Sequence, residues 1–329
     1  MSRGLWLLGV LIAALSIPLL LGGGELFVRL RAFPPVLLLS MFGMILLCWN
    51  LNALRLRLLL GFGRIGQGRA VALVMATEFA ICATPAGAGG PLTLMALLMR
   101  HGVRPAQGTA IYALEQLGDL LVFTCVLLGI FGYALSVALD TRLSWLLGSS
   151  VALLVGGLLL LGLLGRFHRQ LLRGNGRLLA RLGVGRLRRR HWTRKLLSFR
   201  DALRDSLNLP GALLFGVFVL TTVHWLLRYS VLYLTLQGLG SALPWAWTFM
   251  LQMLALSAGQ LSLLPGGAGG AELASVAMLA PLVGKSTAAA AVLIWRVVTY
   301  YFYLMAGVPV FLHLVGWPLL QRLVRYRSF

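Results

Sequence analysis

The chain has 329 residues, of which 59% are hydrophobic and only 11% are charged, with a mean hydropathy of +0.89. A soluble domain carries about 25% charged residues, so this composition excludes an ordinary globular protein, and the abundance of apolar residues excludes disorder. Lys and Arg outnumber Asp and Glu by 29 to 8, which gives a net charge of +21. In a chain of long apolar runs, such an excess orients helices in a bilayer. The sequence therefore predicts an all-α, polytopic membrane protein.

Six apolar segments are long enough to cross a hydrocarbon core, which needs roughly 20 helical residues. They are 5–23, 34–54, 106–136, 143–165, 210–237 and 287–316. The first follows a basic N-terminus as a signal sequence would, but it lacks a convincing cleavage motif. We interpret it as an uncleaved span.

Basic residues predict which loops are cytoplasmic. Loop 55–69, segment 166–208 with its 13 Lys and Arg, and the C-terminal tail are the basic stretches. The positive-inside rule places all three, and both termini, in the cytoplasm. Within them, Thr193–Leu207 has apolar residues on one helical face, which suits a helix lying on an anionic leaflet. A solvated linker that serves only topology is an equal alternative.

Two further apolar segments, 70–99 and 243–280, are each interrupted by a run of glycine and proline. Segment 70–99 must begin and end in the cytoplasm if its flanking loops are cytoplasmic, and its halves are too short to span alone. We therefore expect a re-entrant hairpin. The same reasoning predicts a second hairpin at 243–280, although the first half of that segment is long enough to span.

The two interruptions resemble each other. Pro85–Gly90 and Pro265–Gly270 align at an offset of 180 with five identities in six positions, and the neighbouring spans keep nearly the same offset. Each half then has three spans and one hairpin, and an odd number of spans gives the halves opposite orientations. The sequence predicts an inverted-topology repeat with halves 1–140 and 141–329.

The prolines and glycines of these runs are candidate functional residues. Pro85 and Pro265 end the incoming helices, and the glycines after them leave backbone N–H groups open at the start of the next helix. A helix N-terminus with open donors attracts a phosphate or carboxylate. The candidate substrate-binding glycines are Gly87, Gly89, Gly90, Gly267, Gly269 and Gly270. The alternative is that both runs are only closely packed tips.

Four of the eight acidic residues lie in or near apolar segments: Glu78, Glu115, Asp119 and Glu272. Each costs roughly 2.5–3.5 kcal/mol at the bilayer centre unless it has a partner or faces a cavity. Glu115 and Asp119 share a helix face, and their mutual repulsion favours a proton on one of them.

Arg296 lies within the last span, with Tyr300 on the same helical face. Glu272 follows the second glycine run, so it either stabilises that helix start or pairs with Arg296 beside a substrate headgroup. Arg228 and His224, on segment 210–237, could face the same cavity, and the alternative is that they snorkel to the interface or pack.

Other motifs indicate no further chemistry. Cys48, Cys82 and Cys125 lie in apolar runs and are expected to be buried, and the five histidines have no metal-type spacing. The run Gly61–Gly66 fits G-x-G-x-x-G, but it follows a predicted membrane helix where a dinucleotide site needs a strand. We expect no metal, no cofactor and no nucleic-acid partner.

At these residues the chain resembles the lysylphosphatidylglycerol synthase transmembrane, or flippase-like, family. The second-half signature is Pro265-Gly-Gly-Ala-Gly-Gly-Ala-Glu272, with Arg296 following 24 residues later in Leu-Ile-Trp-Arg-Val-Val-Thr-Tyr-Tyr. The first-half signature runs from Thr84-Pro85 to Gly90 and continues in Arg100-His-Gly-Val and in Ala113-Leu-Glu115-Gln-Leu-Gly-Asp119. The resemblance covers roughly residues 5–316. The family usually has a Gly-Glu pair after the first proline, whereas here Gly89 is followed by Gly90-Pro91. It also commonly has an arginine after the glutamate, where this chain has Gln116.

The resemblance implies movement of anionic or aminoacylated phospholipids, or of polyprenyl-phosphate lipids, between the leaflets of a bacterial or archaeal cytoplasmic membrane. We expect Arg296 and the glycine-lined helix starts to hold a phosphate and Glu272 to orient Arg296. We expect Glu115 and Asp119 to carry a proton or contact a cationic headgroup.

The chain ends at Phe329 without an aminoacyltransferase domain, so we expect no enzymatic activity. One alternative is a lipid-binding or scaffolding subunit that does not transport, and another is an intramembrane lipid-modifying enzyme. The lipid, the direction of transport, the energy source, the oligomeric state and any partner synthase stay open.

Overall fold

A computed structural model describes residues 16–136, 201–205 and 207–316, together with isolated positions between 148 and 198. Within these ranges every regular element is helical, and the one β-type contact is an isolated bridge. The prediction of an all-α fold is confirmed.

Ten α-helices lie wholly within the described part of the chain, and residues 16–22 and 201–205 are helical as well. The ten helices are α1 (Glu25–Ala32), α2 (Pro35–Leu60), α3 (Gln67–Ala83), α4 (Gly89–Arg100), α5 (Pro105–Ser136), α6 (Gly211–Gly238), α7 (Trp245–Leu261), α8 (Gly270–Val283), α9 (Lys285–Arg296) and α10 (Phe302–Phe311). A π-helical segment, Val297–Tyr301, joins α9 to α10, and a second one, Leu312–Gly316, follows α10.

Four helices are long and apolar enough to cross a membrane. They are Pro35–Leu60, Pro105–Tyr133, Gly211–Gly238 and Lys285–Gly316. They coincide with the predicted spans 34–54, 106–136, 210–237 and 287–316. Of the predicted span 5–23, only residues 16–23 are described, and 16–22 are helical. The predicted span 143–165, apart from isolated positions, and most of the basic segment 166–208 lie outside the described residues.

Proline and glycine set the ends of these helices. α2 begins with Pro35 at its first position, where the missing N–H has no intrahelical partner to lose. It ends at Gly61, whose φ of 90° is accessible to glycine. Gly284, with a φ of 83°, separates α8 from α9 in the same way.

Both predicted hairpin segments are broken into two helices. α3 ends at Ala83, just before Pro85, and α4 begins at Gly89. α7 ends at Leu261, before Pro265, and α8 begins at Gly270. The breaks therefore fall at the proline–glycine runs, because proline cannot continue a helix and glycine tolerates the backbone that follows. The re-entrant path of each segment stays a prediction.

The chain forms two compact units. The first unit comprises Met1–Gly102 and Val223–Phe329, and the second comprises Val103–Thr222. α5 belongs to the second unit. The two broken segments and the last long helix belong to the first.

Aromatic side chains and small residues fill the core of the first unit. Trp49 stacks on Phe302 with ring centroids 5.4 Å apart, and it contacts Tyr303 edge-on at 5.1 Å. Leu26 of α1 packs against the buried alanines of α9. Close helix approach through small residues is typical of membrane bundles.

Two of the three cysteines are buried as predicted, namely Cys48 and Cys82. The prediction is wrong for Cys125, which is exposed on α5. An apolar run does not determine burial in a membrane helix, because lipid-facing and core-facing positions are equally apolar.

The loop between α2 and α3 is fixed by one arginine. Arg57 donates from Nε to the carbonyl of Ile65 at 2.9 Å and from Nη1 to Gln67 Oε1 at 3.0 Å. Gln67 in turn donates to the carbonyl of Asn50 at 3.1 Å. The run Gly61–Gly66 is thus a loop that follows a helix, and it lacks the strand that a dinucleotide site requires.

Candidate functional site

The two helix breaks meet in the first unit. Pro85 and Pro265 form an antiparallel backbone bridge, although they lie 180 residues apart in the sequence. They are the equivalent first residues of the two glycine runs. The structure therefore brings the two predicted breaks together at one point.

The second break depends on glycine for two reasons. Gly266 and Gly267 have φ values of 59° and 67°, in the left-handed region that favours glycine. A Cβ atom on Gly266 would lie 2.0 Å from Cε2 of Tyr300, and one on Gly267 would lie 2.9 Å from the carbonyl carbon of Gly259. Neither the backbone conformation nor the packing admits a side chain here.

Tyr300 connects the two breaks. Its hydroxyl group lies 3.1 Å from the carbonyl oxygen of Pro265 and 3.4 Å from that of Cys82, so it can donate to either. Cys82 belongs to the last turn of α3, directly before the first break. The ring of Tyr300 also packs under Gly266, so one side chain contacts both interruptions.

Arg296 and Glu272 form the ion pair that the sequence led us to expect. Arg296 Nε lies 2.7 Å from Glu272 Oε1, and the two side chains are only 4% and 1% exposed. Arg296 Nη2 donates to the carbonyls of Gly266 and Gly267 at 3.3 and 3.4 Å. The guanidinium carbon is 4.9 Å from the ring centroid of Tyr300. The arginine thus holds both the glutamate and the glycine turn.

Several buried polar atoms near this pair have no hydrogen-bond partner within the described ranges. They include Glu272 Oε2, Ser275 Oγ, Trp295 Nε1 and Tyr301 Oη. Ser275 lies three residues after Glu272 on α8 and therefore shares its helix face. Buried polar groups are normally satisfied, so this region keeps hydrogen-bonding capacity beyond the ion pair itself.

The π-helical segment Val297–Tyr301 begins directly after Arg296. Such segments are rare and occur often at functional sites, because the extra residue in the turn changes the direction in which the following side chains point. Here it follows the paired arginine and carries both Tyr300 and Tyr301.

The glycine N–H groups of the first break form hydrogen bonds within the break itself. Thr84 Oγ1 accepts a hydrogen bond from the Gly89 N–H at 2.8 Å and donates to the Ala80 carbonyl at 2.6 Å. The N–H groups of Gly87 and Gly90 donate to the carbonyls of Thr84 and Gly87. The expectation of open N–H groups is therefore wrong for this break, because Thr84 and the tight turn use them.

Close packing accounts for two of these three glycines. A Cβ atom on Gly90 would lie 2.3 Å from Ile81 Cγ1, and one on Gly89 would lie 2.7 Å from Thr84 Cγ2. At the second break, by contrast, no hydrogen bond from the N–H groups of Gly269 and Gly270 is formed to any described residue. The open donors therefore lie at one break only.

Arg228 and Glu78 form a second ion pair within the apolar helices, which the sequence did not predict. Arg228 Nη1 on α6 lies 3.5 Å from both carboxylate oxygens of Glu78 on α3. The guanidinium carbon of Arg228 lies 5.5 Å from the ring centroid of Trp225 and 4.9 Å from that of Tyr303. Each charge was visible in the sequence as one that needs a partner, but nothing in the sequence matched them across 150 residues.

His224 packs rather than facing a cavity. It is 2% exposed, with Nδ1 3.3 Å from the Cys48 carbonyl and Nε2 3.5 Å from Asn52 Nδ2. Of the two alternatives that the sequence left open for this residue, packing is correct.

Glu115 and Asp119 lie on α5 in the second unit. Glu115 is buried and Asp119 is half-buried, and both have interaction partners. Their role with a proton or a cationic headgroup stays a prediction. Within the described residues, no group of three His, Cys, Asp or Glu could hold a metal ion.

Residues 6–307 match the family described as the lysylphosphatidylglycerol synthase TM region. The chain belongs to this family. The match confirms the resemblance suggested by the Pro265–Glu272 run and Arg296, and it covers both breaks. Membership indicates a lipid-related membrane function.

A relative in Archaeoglobus fulgidus, described as a UPF0104 membrane protein, is similar to this chain. The two are 26% identical over 275 residues, which is 79% of this chain and 80% of the relative. The similarity therefore extends over most of both proteins, and the multi-pass membrane character of the chain agrees with its apolar helices.

Proposed function

We propose that this chain moves a phosphate-bearing lipid between the two leaflets of a membrane. The candidates are an anionic or aminoacylated phospholipid and a polyprenyl-phosphate lipid, which share the phosphate. The observation that carries the proposal is the pairing of Pro85 with Pro265 beside the buried Glu272–Arg296 ion pair.

The chain is proposed to be an inverted-topology repeat of six spans and two re-entrant hairpins. Antiparallel pairing of equivalent residues is what a local two-fold axis between the two breaks would produce, and the 180-residue offset supports the same symmetry. Transporters built from inverted repeats bind their substrates at broken helices near the bilayer midplane.

The physical cost of the breaks supports a site there. Irregular backbone at membrane depth is tolerated only inside protein or beside a water-filled cavity. The start of α8 offers the N–H groups of Gly269 and Gly270 and the partial positive charge of a helix N-terminus, both of which favour a phosphate. In this proposal Arg296 adds a fixed positive charge, and Glu272 holds it in position.

Three further features belong to the proposal. Glu115 and Asp119 carry a coupling proton or contact a cationic part of the headgroup. The lipid leaves chemically unchanged. The protein resides in the cytoplasmic membrane of a bacterium or archaeon with both termini inside, as the basic loops predict.

A lipid-binding or scaffolding subunit that does not transport is the second candidate. The observation that favours it is the burial of Glu272 and Arg296, whose side chains are only 1% and 4% exposed. Such burial is what an ion pair with a purely structural role would show. It predicts bound lipid without exchange between leaflets.

Leaflet exchange in reconstituted vesicles separates these functions. Fluorescent phospholipids would be incorporated into vesicles with and without protein, and a membrane-impermeant reductant would bleach the label in the outer leaflet. We expect bleaching of the inner-leaflet label only with protein, and its loss in Glu272→Ala and Arg296→Ala. Arg69→Ala, an exposed arginine at the start of α3, is the matched control.

Exchange no faster than in empty vesicles would contradict transport, and so would unaltered exchange in both site variants. Bound lipid without exchange would favour the scaffolding subunit. Mass spectrometry of the lipids after incubation would reveal a chemically altered product if the protein were instead an intramembrane enzyme.

A further inference from the structure

Arg228 and Arg296, which both lie within long apolar helices, differ in how many of their guanidinium nitrogens have a hydrogen-bond or ion-pair partner. Arg296 uses two of its three nitrogens, Nε towards Glu272 and Nη2 towards the glycine turn, and is 4% exposed. Arg228 contacts Glu78 through Nη1 alone and is 17% exposed. No hydrogen bond from Nε or Nη2 of Arg228 is formed to any described residue.

The Arg228–Glu78 contact is also loose. Nη1 lies 3.5 Å from each carboxylate oxygen, whereas charge-assisted hydrogen bonds of this type are typically about 2.7–2.9 Å long. The side chain of Glu78 is 13% exposed. Both partners therefore keep hydrogen-bonding capacity and accessible surface, which is costly inside a membrane unless water or a ligand uses them.

Aromatic side chains hold the arginine in place. Trp225 and Tyr303 lie within cation–π distance of the guanidinium, at 5.5 and 4.9 Å. Tyr303 is itself packed against Trp49 at 5.1 Å and is 1% exposed. Arg228 is therefore positioned in advance, with two of its nitrogens unused.

The pair lies next to the first helix break. Glu78 precedes Cys82 by four residues on α3, which is about one helical turn. The Cys82 carbonyl is contacted by Tyr300, whose ring lies against Arg296. A lipid that passes the breaks would thus pass beside Glu78 and Arg228.

We propose that Glu78 and Arg228 form a subsite for a zwitterionic headgroup, in which Arg228 Nε and Nη2 bind the phosphodiester and Glu78 binds the ammonium group. The inference rests on the proposed lipid function and narrows its candidates to phospholipids that carry an ammonium group as well as the phosphate, such as the aminoacylated ones; phosphatidylethanolamine is a probe with both groups. The pair is electrically neutral, so a headgroup with both charges satisfies both partners. A purely anionic headgroup would be repelled by the Glu78 carboxylate, and a purely cationic one would be repelled by the Arg228 guanidinium.

Lipid-dependent thermal stabilisation of the purified full chain in detergent tests this subsite. The probes are a phosphatidylethanolamine, a phosphatidylglycerol and water-soluble glycerophosphoethanolamine, whose effect distinguishes a free headgroup from a lipid. We expect the wild type to prefer phosphatidylethanolamine. Glu78→Gln should shift the ratio of apparent affinities towards phosphatidylglycerol by about tenfold, the effect of losing one charge-assisted hydrogen bond.

Arg228→Gln should weaken binding of both lipids, and Arg69→Gln should change neither. If Arg228→Gln does not fold, Arg228→Lys replaces it. The lysine keeps the charge but lacks the planar fork, so the affinity for both lipids should still fall. An unchanged lipid preference in folded Glu78→Gln, or unchanged affinity in the arginine variants, would overturn the subsite.

The failure of the subsite and that of the proposed function are distinguishable. Wild-type protein that binds phosphatidylethanolamine without moving it between leaflets would refute transport and leave the subsite intact. Wild-type protein that moves lipid, with a preference unaffected by Glu78→Gln, would refute the subsite and leave transport intact.

Discussion

Pro85 and Pro265 pair through their backbones, so the two helix breaks of this chain form one structural element. Tyr300 reinforces the pairing, because its hydroxyl group reaches the carbonyls of both Pro265 and Cys82. Arg296 then ties the second break to Glu272. A change in any of these contacts should therefore be felt at both breaks, and the first two predictions concern it directly.

Gly266→Ala should destabilise the protein strongly. The left-handed backbone at φ 59° costs a residue with a Cβ roughly 1–2 kcal/mol, and the 2.0 Å approach to Tyr300 adds overpacking of about 1–3 kcal/mol. Thermal unfolding in detergent, followed by tryptophan fluorescence, measures the effect. Gly240→Ala is the control, because Gly240 has a φ of 76° but nothing within 4 Å of an added Cβ.

Equal shifts in the two glycine variants would show that the Tyr300 contact is unimportant. A second check combines Gly266→Ala with Tyr300→Ala. Substitutions of two residues in contact do not have additive effects on the free energy of unfolding. Removal of the Tyr300 ring should therefore recover part of the stability lost in the single glycine variant.

Glu272→Gln and Arg296→Gln should each destabilise the protein by about 3–5 kcal/mol, because either change leaves a buried charge without its partner. The double variant removes both charges and should cost clearly less than the sum of the single changes. A double-mutant cycle on thermal unfolding measures this coupling. Glu25 and Arg29, which meet at the surface through Ser286, serve as the control, and they should show a coupling of about 0–1 kcal/mol.

Thr84→Val should weaken the first break by about 0.5–2 kcal/mol, the range for losing a side-chain cap at a helix start. The hydroxyl group serves both Gly89 and Ala80, and valine keeps the shape without it. Thr84→Ser keeps the hydroxyl group and should retain most of the stability. If valine and serine gave the same unfolding midpoint, the hydrogen bonds of Thr84 would not matter.

Arg57→Ala should open the loop between α2 and α3. The arginine donates to the Ile65 carbonyl and to Gln67, and its guanidinium also lies 5.2 Å from the ring centroid of Phe62. We expect faster trypsin cleavage after Arg64 in solubilised protein. Arg57→Lys should be intermediate, because lysine has no planar fork. Arg31→Ala, exposed at the end of α1, should leave the rate unchanged.

The sequence was sufficient for features with a local physical cause. Hydropathy located the four long helices, because length and apolarity decide whether a helix can span. Proline and glycine located both breaks, since their backbone constraints act within a few residues. Pairing of Glu272 with Arg296 was one of the two roles that the sequence offered for Glu272, because both are charges in apolar segments of the second half and each needs a partner.

Features that depend on tertiary contacts were missed. Glu78 and Arg228 meet through a tertiary contact between α3 and α6, 150 residues apart in the sequence. The glycine N–H groups of the first break are occupied because Thr84 bends back to accept one of them. Exposure of Cys125 could not be read from an apolar helix, whose lipid-facing and core-facing sides are alike in composition.

Lipid exchange between the leaflets of vesicles that contain the purified chain is the decisive test of transport. Inner-leaflet phospholipid should become accessible to the impermeant reductant with wild-type protein and with Arg69→Ala. With Arg296→Ala it should stay as protected as in empty vesicles. Protection of the inner leaflet in the presence of folded wild-type protein would refute transport.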